Sequence, residues 1–194
     1  MTSQQLTISI DVDTAIRQHG QETYPHECCG ALVGRDGVVS AIVALPNTTD
    51  EGPRRRFMVR PSDYQLAERR ATELGVELLG FYHSHPDHPA RPSQYDLDHA
   101  WPTFAYIIVA VAGDGAEKNA TPGLPRQSAN GATPGPPRQS ANGATASLPG
   151  PSAKGATAGD MTVWYLKEDR SRFEEGTLNH GENSHPDPAP AVHG

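Results

Sequence analysis

A run of near-identical units rich in glycine, proline and small residues interrupts the chain, and it constrains what the remainder can fold into. Asn119–Ala129, Asn130–Ala141 and Asn142–Ala153 repeat a common theme with a period of eleven or twelve residues. Repeats can stack into a solenoid only if stacking buries an apolar face. Each of these units carries at most one large apolar residue, Leu124 or Leu148. Stacking them would not offset the entropy lost on ordering the backbone. Residues 114–160 are therefore expected to be a flexible insertion, and residues 179–194 a disordered tail for the same reason. The chain's 19 glycines and 18 prolines are too many for a uniformly folded domain of 194 residues. Segments 1–113 and 161–178 are left to build one domain around one core.

Charge and hydropathy narrow the class further. Sixteen Lys and Arg against 23 Asp and Glu give a net charge of −7, which argues against nucleic acid or an anionic membrane as a partner held by a general basic field. Arg54, Arg55 and Arg56 form the one dense basic run. Such a run is usually a solvated loop, and its functional reading is a local dock for an acidic protein. No stretch approaches the roughly 18 apolar residues that span a bilayer, and the start MTSQQLTISI lacks the basic-then-apolar pattern of a signal peptide, so the expected compartment is the cytoplasm. Adjacent Cys28 and Cys29 would point to opposite faces of a strand and cannot staple the fold, so they read as reduced thiols.

Outside the insertion, the hydrophobic periods are readable. Leu6–Ile10 alternates as a strand, and Asp11 to about Gly20 suits a short helix. Cys29–Gly34 and Val38–Leu45 read as strands joined at Arg35-Asp36-Gly37, where Asp-Gly favours a hairpin, and Phe57-Met-Val59 reads as further sheet. Ser62 with Gln65 forms a capping box opening a helix whose stripe of Leu66, Ala67, Ala71 and Leu74 stops at Gly75. Val76–Tyr82 is nearly continuous apolar, as in a strand buried on both faces. Ser93 opens another helix with Leu97 and Trp101 one turn apart. Phe104–Val111 is another buried strand, and the pattern resumes at Met161–Leu166. The expected class is α/β or α+β: a mixed central sheet flanked by helices.

The chemistry concentrates in Gly80-Phe-Tyr-His83-Ser-His85-Pro86-Asp-His-Pro-Ala-Arg-Pro-Ser93-Gln-Tyr-Asp96. His83 and His85 leave the end of a buried strand one residue apart, so their rings project to the same side and can grip one metal ion. Asp96, in the first turn of the next helix, can serve as a third, anionic ligand and leave a fourth position for water, the pattern of a catalytic zinc. Ser93-x-x-Asp96 is equally a good helix start, with Ser93 as cap and Asp96 at the positive end of the dipole. His88 and His99 lie nearby. Isolated histidines are most often surface residues, and His99 has the alternative of orienting a ligand.

His-Ser-His-Pro, then six residues and Ser-x-x-Asp, together with the upstream Pro25-His26-Glu27-Cys-Cys-Gly-Ala-Leu-Val-Gly34, resembles the signature of the JAMM or MPN-plus zinc metallopeptidases, and is similar to their bacterial single-domain branch. The resemblance covers Leu6 to Ala112 and Met161 to about Phe173. It implies a cytidine-deaminase-like MPN/JAMM fold and one zinc per chain on His83, His85 and Asp96. It further implies Glu27 as general base, Ser93 as a hydroxyl that stabilises the oxyanion, and a Ser84 hydroxyl bonded to nearby backbone. The implied substrate is a small ubiquitin-like sulfur-carrier protein, cut at a peptide or isopeptide bond after its Gly-Gly tail. A homodimer is left open. A non-catalytic MPN-type scaffold is the alternative, although such scaffolds usually lack the ligands present here. A deaminase-like zinc hydrolase is disfavoured because no His-x-Glu with Cys-x-x-Cys occurs.

Overall fold

A computed structural model describes residues 4–47, 59–113 and 156–181. The chain runs through β1 (Gln5–Ser9), α1 (Ile10–Thr23), β2 (Cys29–Arg35), β3 (Val38–Leu45), α2 (Pro61–Glu73), β4 (Glu77–Pro86), α3 (Gln94–His99), β5 (Ala105–Gly113), β6 (Ala156–Leu166), β7 (Phe173–Glu175) and β8 (Thr177–Gly181). The eight strands form one mixed sheet in the order β7-β6-β5-β4-β2-β3-β1-β8. No helix among the described residues is long and apolar enough to cross a membrane.

Local chemistry explains the main elements. Ser9 caps α1, its Oγ accepting the Val12 N–H at 3.2 Å, with Asp11 and Asp13 in the first turn, where the helix dipole favours negative charge. Val12, Ile16 and Gly20 form its buried stripe. A Cβ on Gly20 would approach Val111 Cγ2 to 2.9 Å, so glycine there lets α1 lie close against β5. Asp36 and Gly37 both have positive φ, 52° and 74°, which is the two-residue turn whose twist matches a β2–β3 hairpin.

Alternation along the central strands divides the core. Cys28, Leu32, Tyr82, Ile107 and Val109 pack with Val12 and Ile16 of α1. Cys29, Ala31, Phe81 and Tyr106 pack with Ala67 of α2 on the other side. The two cysteines thus face opposite layers, as period two requires. Burial pushes their thiols up, to about 11 for Cys28 and about 12 for Cys29, and both are free.

Several boundaries differ from expectation. The strand beyond the insertion begins at Ala156 rather than Met161, because Gly113–Ala156, Ala112–Thr157 and Val111–Ala158 are paired; residues 156–160 thus belong to the sheet and not to the insertion. The expected tail likewise loses residues 179–181 to β8, which pairs in parallel with β1 from Gln5–Thr177 to Ser9–Gly181. Helix α2 starts at Pro61, not through a Ser62–Gln65 box, because proline suits the first helical position and the Asp63 carboxylate accepts the Arg60 N–H at 3.2 Å. Leu74, expected in its buried stripe, is 59% exposed. Helix α1 is longer than expected, and Ile10 is its exposed first residue. Trp101 lies beyond the last turn of α3. Arg54–Arg56, Phe57 and Met58 lie outside the described residues, as do 114–155 and 182–194.

Candidate metal centre

Strand pairing assembles the site from distant parts of the sequence. Strand β4 lies parallel to β5 and antiparallel to β2. The β2 register pairs Cys29 with His83, and carrying it two residues further sets Glu27 across from His85. Two hydrogen bonds extend the pairing: Ser84 N–H to the Cys28 carbonyl at 3.1 Å and Cys28 N–H to Ser84 Oγ at 2.9 Å. The Ser84 hydroxyl therefore bonds backbone beside the site, as expected. The loop after β4 then crosses to α3 and returns in β5. The two histidines thus lie in the last residues of β4, which are still paired with β5.

His83, His85, Asp96 and Glu27 are only 1%, 7%, 7% and 5% exposed. His83 Nε2 and His85 Nε2 lie 3.0 Å apart. Asp96 Oδ1 is 3.5 Å from His83 Nε2 and Asp96 Oδ2 is 3.8 Å from His85 Nε2. One donor atom from each of the three residues falls within 4.8 Å of the others, a group that can hold a metal ion. Ligand bonds of about 2.0–2.1 Å in a tetrahedron imply donor separations of about 3.3 Å, and the observed edges bracket that value. Three buried polar groups meeting tip to tip carry a heavy desolvation cost that a shared cation would offset. The residues therefore fit the ion.

The surroundings orient His85 and Asp96. His85 Nδ1 donates to the Pro89 carbonyl at 2.9 Å, which leaves Nε2 facing the cluster and fixes the tautomer a ligand needs. Ser93 is the N-cap of α3: its Oγ accepts the Asp96 N–H at 3.2 Å and donates to Asp96 Oδ2 at 2.7 Å, while its own N–H donates to the same oxygen at 2.6 Å. The hydrogen bonds that cap α3 through Ser93 also hold the Asp96 carboxylate beside the two histidines, so the capping reading and the ligand reading are compatible in one arrangement. The loop between is pinned to β6, because the Ala90 carbonyl accepts from Thr162 Oγ1 at 2.5 Å and from Trp164 Nε1 at 3.3 Å.

Burial drives the Glu27 carboxyl up to about 8, with His85 opposing and Asp96 assisting. Burial pushes His83 down to about 3 despite Asp96, so its ring is neutral, as a ligand must be. Burial also opposes charge on Asp96 and His85. Attraction to His83, the contact with His85 and the Ser93 donors prevail at Asp96 and hold it below the usual carboxylate range, while Asp96 and the Pro89 carbonyl hold His85 above its ordinary value.

Glu27, His85, His88, Pro89, Arg91 and Ser93 line an open cleft of about 290 Å³. His88 is exposed on its rim. His99 instead turns to the Tyr95 carbonyl at 2.8 Å and stacks on that ring at 4.1 Å, so the structure does not bring it to the cluster. Sequence reasoning missed the Pro89 carbonyl and a tie between Tyr24 Oη and the Asp87 carboxylate, at 3.1 and 3.3 Å, which links the segment before Glu27 to the loop after His85. The positive φ of Asp87, 57°, has only the dense prolines around it as a sequence signal.

Comparisons with known proteins agree with this architecture. The chain is 32% identical over 120 residues to the desampylase of Haloferax volcanii, covering 58% of this chain and 86% of the relative. It is 32% identical over 97 residues to a probable TtuB-protein conjugate cleaving protease of Thermus thermophilus, covering 50% and 64%. It is 32% identical over 107 residues to the CysO-cysteine peptidase of Mycobacterium tuberculosis, covering 54% and 73%. A solution structure of a Salinibacter ruber protein superimposes with a TM-score of 0.56 at 31% identity, covering 93% of this chain and 95% of the other. The family model for prokaryotic homologs of the JAB domain matches residues 10–121, and the chain belongs to that family.

Proposed function

We propose that the chain is a zinc-dependent peptidase or isopeptidase that hydrolyses the bond following the Gly-Gly tail of a small ubiquitin-like sulfur-carrier protein. The observation that carries the reading is the convergence of His83, His85 and Asp96 next to a buried glutamate whose carboxyl is raised to about 8. The names of the three relatives, a desampylase, a conjugate-cleaving protease and a CysO-cysteine peptidase, support the substrate class.

In this reading two imidazoles and one carboxylate hold the ion. When bound, zinc polarises the scissile carbonyl and lowers the pKa of water from about 15.7 towards about 7. Glu27 takes the proton of the attacking water and returns it to the leaving amine, as a general base and then an acid. Its elevated pKa favours the second step, and a neighbouring cation, by favouring the carboxylate, prepares the first. Ser93 turns its hydroxyl proton from Asp96 towards the developing oxyanion, a contribution worth about 10²- to 10³-fold in rate for one well-placed donor. A tail of glycines suits donors this deeply buried, because its backbone can approach them without side-chain clashes. The reduced, buried thiols of Cys28 and Cys29 fit action in the cytoplasm.

The test is metal analysis of the purified chain, followed by incubation with Gly-Gly-ended carrier fusions and intact-mass measurement, with Glu27→Gln as control. About one zinc per chain and a mass loss that the control abolishes are expected. A chain that purifies without metal and cleaves nothing would favour the scaffold reading, and cleavage that survives in the control would refute the role of Glu27.

A further inference from the structure

The cleft beside Glu27 holds two basic side chains that the hydrolytic machinery does not use, Arg91 and His88. Neither the guanidinium of Arg91 nor the ring of His88 makes a hydrogen bond or ion pair with a described residue. Both are exposed. The backbone around Arg91 is nevertheless held firmly. Arg91 N–H donates to the Pro89 carbonyl at 2.8 Å, the same oxygen that orients His85, and Ala90 between them is buried and tied to β6. A cation on a loop tied to the sheet, at the edge of the cleft and lacking a partner among the described residues, is placed to meet an anion on the substrate.

The chemistry of the reaction locates that anion. The leaving amine collects its proton from Glu27, so the leaving group must occupy the cleft that Glu27 lines. When the leaving group is a single amino acid, its free α-carboxylate sits two bonds from that nitrogen and within the reach of cleft-lining side chains. A leaving lysine of an intact protein presents no such charge. Arginine is the side chain best matched to a carboxylate, because its fork donates two parallel hydrogen bonds.

Resting on the peptidase reading above, we infer that Arg91, assisted by His88, is a specificity-determining residue that binds the terminal carboxylate of the leaving group. The site thereby favours carriers extended by one amino acid with a free carboxyl end over carriers joined to a protein lysine. A substrate lacking the carboxylate leaves the guanidinium without its partner, and sites built around a polar contact discriminate against such analogues.

The test uses two synthetic peptides that end in Gly-Gly followed by one further residue, identical except that one ends in a carboxylate and the other in a carboxamide. Hydrolysis by the zinc-loaded wild type is compared with that by Arg91→Gln and His88→Gln, and equilibrium binding is measured in the Glu27→Gln background with and without Arg91→Gln. A preference for the acid of about tenfold is expected in both KM and binding, collapsing towards unity in Arg91→Gln with zinc content unchanged, and reduced less in His88→Gln. Equal handling of acid and amide by wild type overturns the inference, as does a loss in Arg91→Gln that is the same for both peptides. A binding preference that persists while neither peptide is cleaved upholds the carboxylate site and overturns the peptidase reading instead.

Discussion

Removing the charge of Glu27 should alter how the metal-free protein responds to pH, by an amount the structure specifies. Glu27 is 95% shielded from solvent, and its carboxyl rises from 4.5 to about 8 on folding, chiefly through burial. Between pH 6.5 and 8 the unfolded chain carries this group ionised while the folded chain keeps it protonated. The folded state therefore binds about one more proton, and its stability falls as pH rises through that window, by up to about 1.4 kcal/mol per unit. Allowing for titration near the upper end, the loss is about 1.5–2 kcal/mol from pH 6.5 to 8. Glu27→Gln keeps the size of the side chain and removes the titration. Urea denaturation of both proteins after chelator treatment, at pH 6.5 and pH 8, reports this contribution together with its coupling to His85. The variant should gain about 1.5–2 kcal/mol relative to wild type across the window. Restoring zinc should shrink that gain, since a nearby cation favours the carboxylate. Parallel pH profiles for the two metal-free proteins would refute the claim that burial governs this group.

Two further outcomes follow from contacts around the site. Ser84→Ala leaves the buried Cys28 N–H without its 2.9 Å acceptor and should cost about 1–3 kcal/mol in denaturant unfolding; a change below about 0.5 kcal/mol would mean the bond is replaced. Gly113 and Ala156 are cross-strand partners in antiparallel strands, so replacing residues 114–155 by a two- to four-residue turn should preserve folding, zinc binding and hydrolysis of a Gly-Gly peptide. Loss of zinc from that shortened chain would show that the segment supports the site.

The parts of this site legible in the sequence are those that local spacing controls. One intervening residue sends His83 and His85 to the same face, and Ser93-x-x-Asp96 announces a helix start wherever it occurs. The placement of Glu27 is different, because it depends on the β2–β4 register, which joins residues more than fifty apart in the sequence. The resemblance to a metallopeptidase signature supplied that link; periodicity alone did not. Residues 156–160 and 177–181 were hard to read for another reason. They hold few large apolar side chains and become strands through pairing with β5 and β1, so their signal lies in the partner. At α2 a local rule misled, since Ser62–Gln65 fits the capping pattern while Pro61 and Asp63 set the actual start.

The loop that carries Arg91 and leads to Ser93 is fastened at Ala90 to Thr162 and Trp164, residues that follow the long interruption in the chain. A nascent polypeptide emerging from the ribosome therefore lacks that clamp until the residues beyond the interruption have been made, and should stay inert towards its neighbours meanwhile. The same dependence makes the interruption a natural place to divide the molecule: halves separated there would each be mute, and would recover together when β6 finds β5.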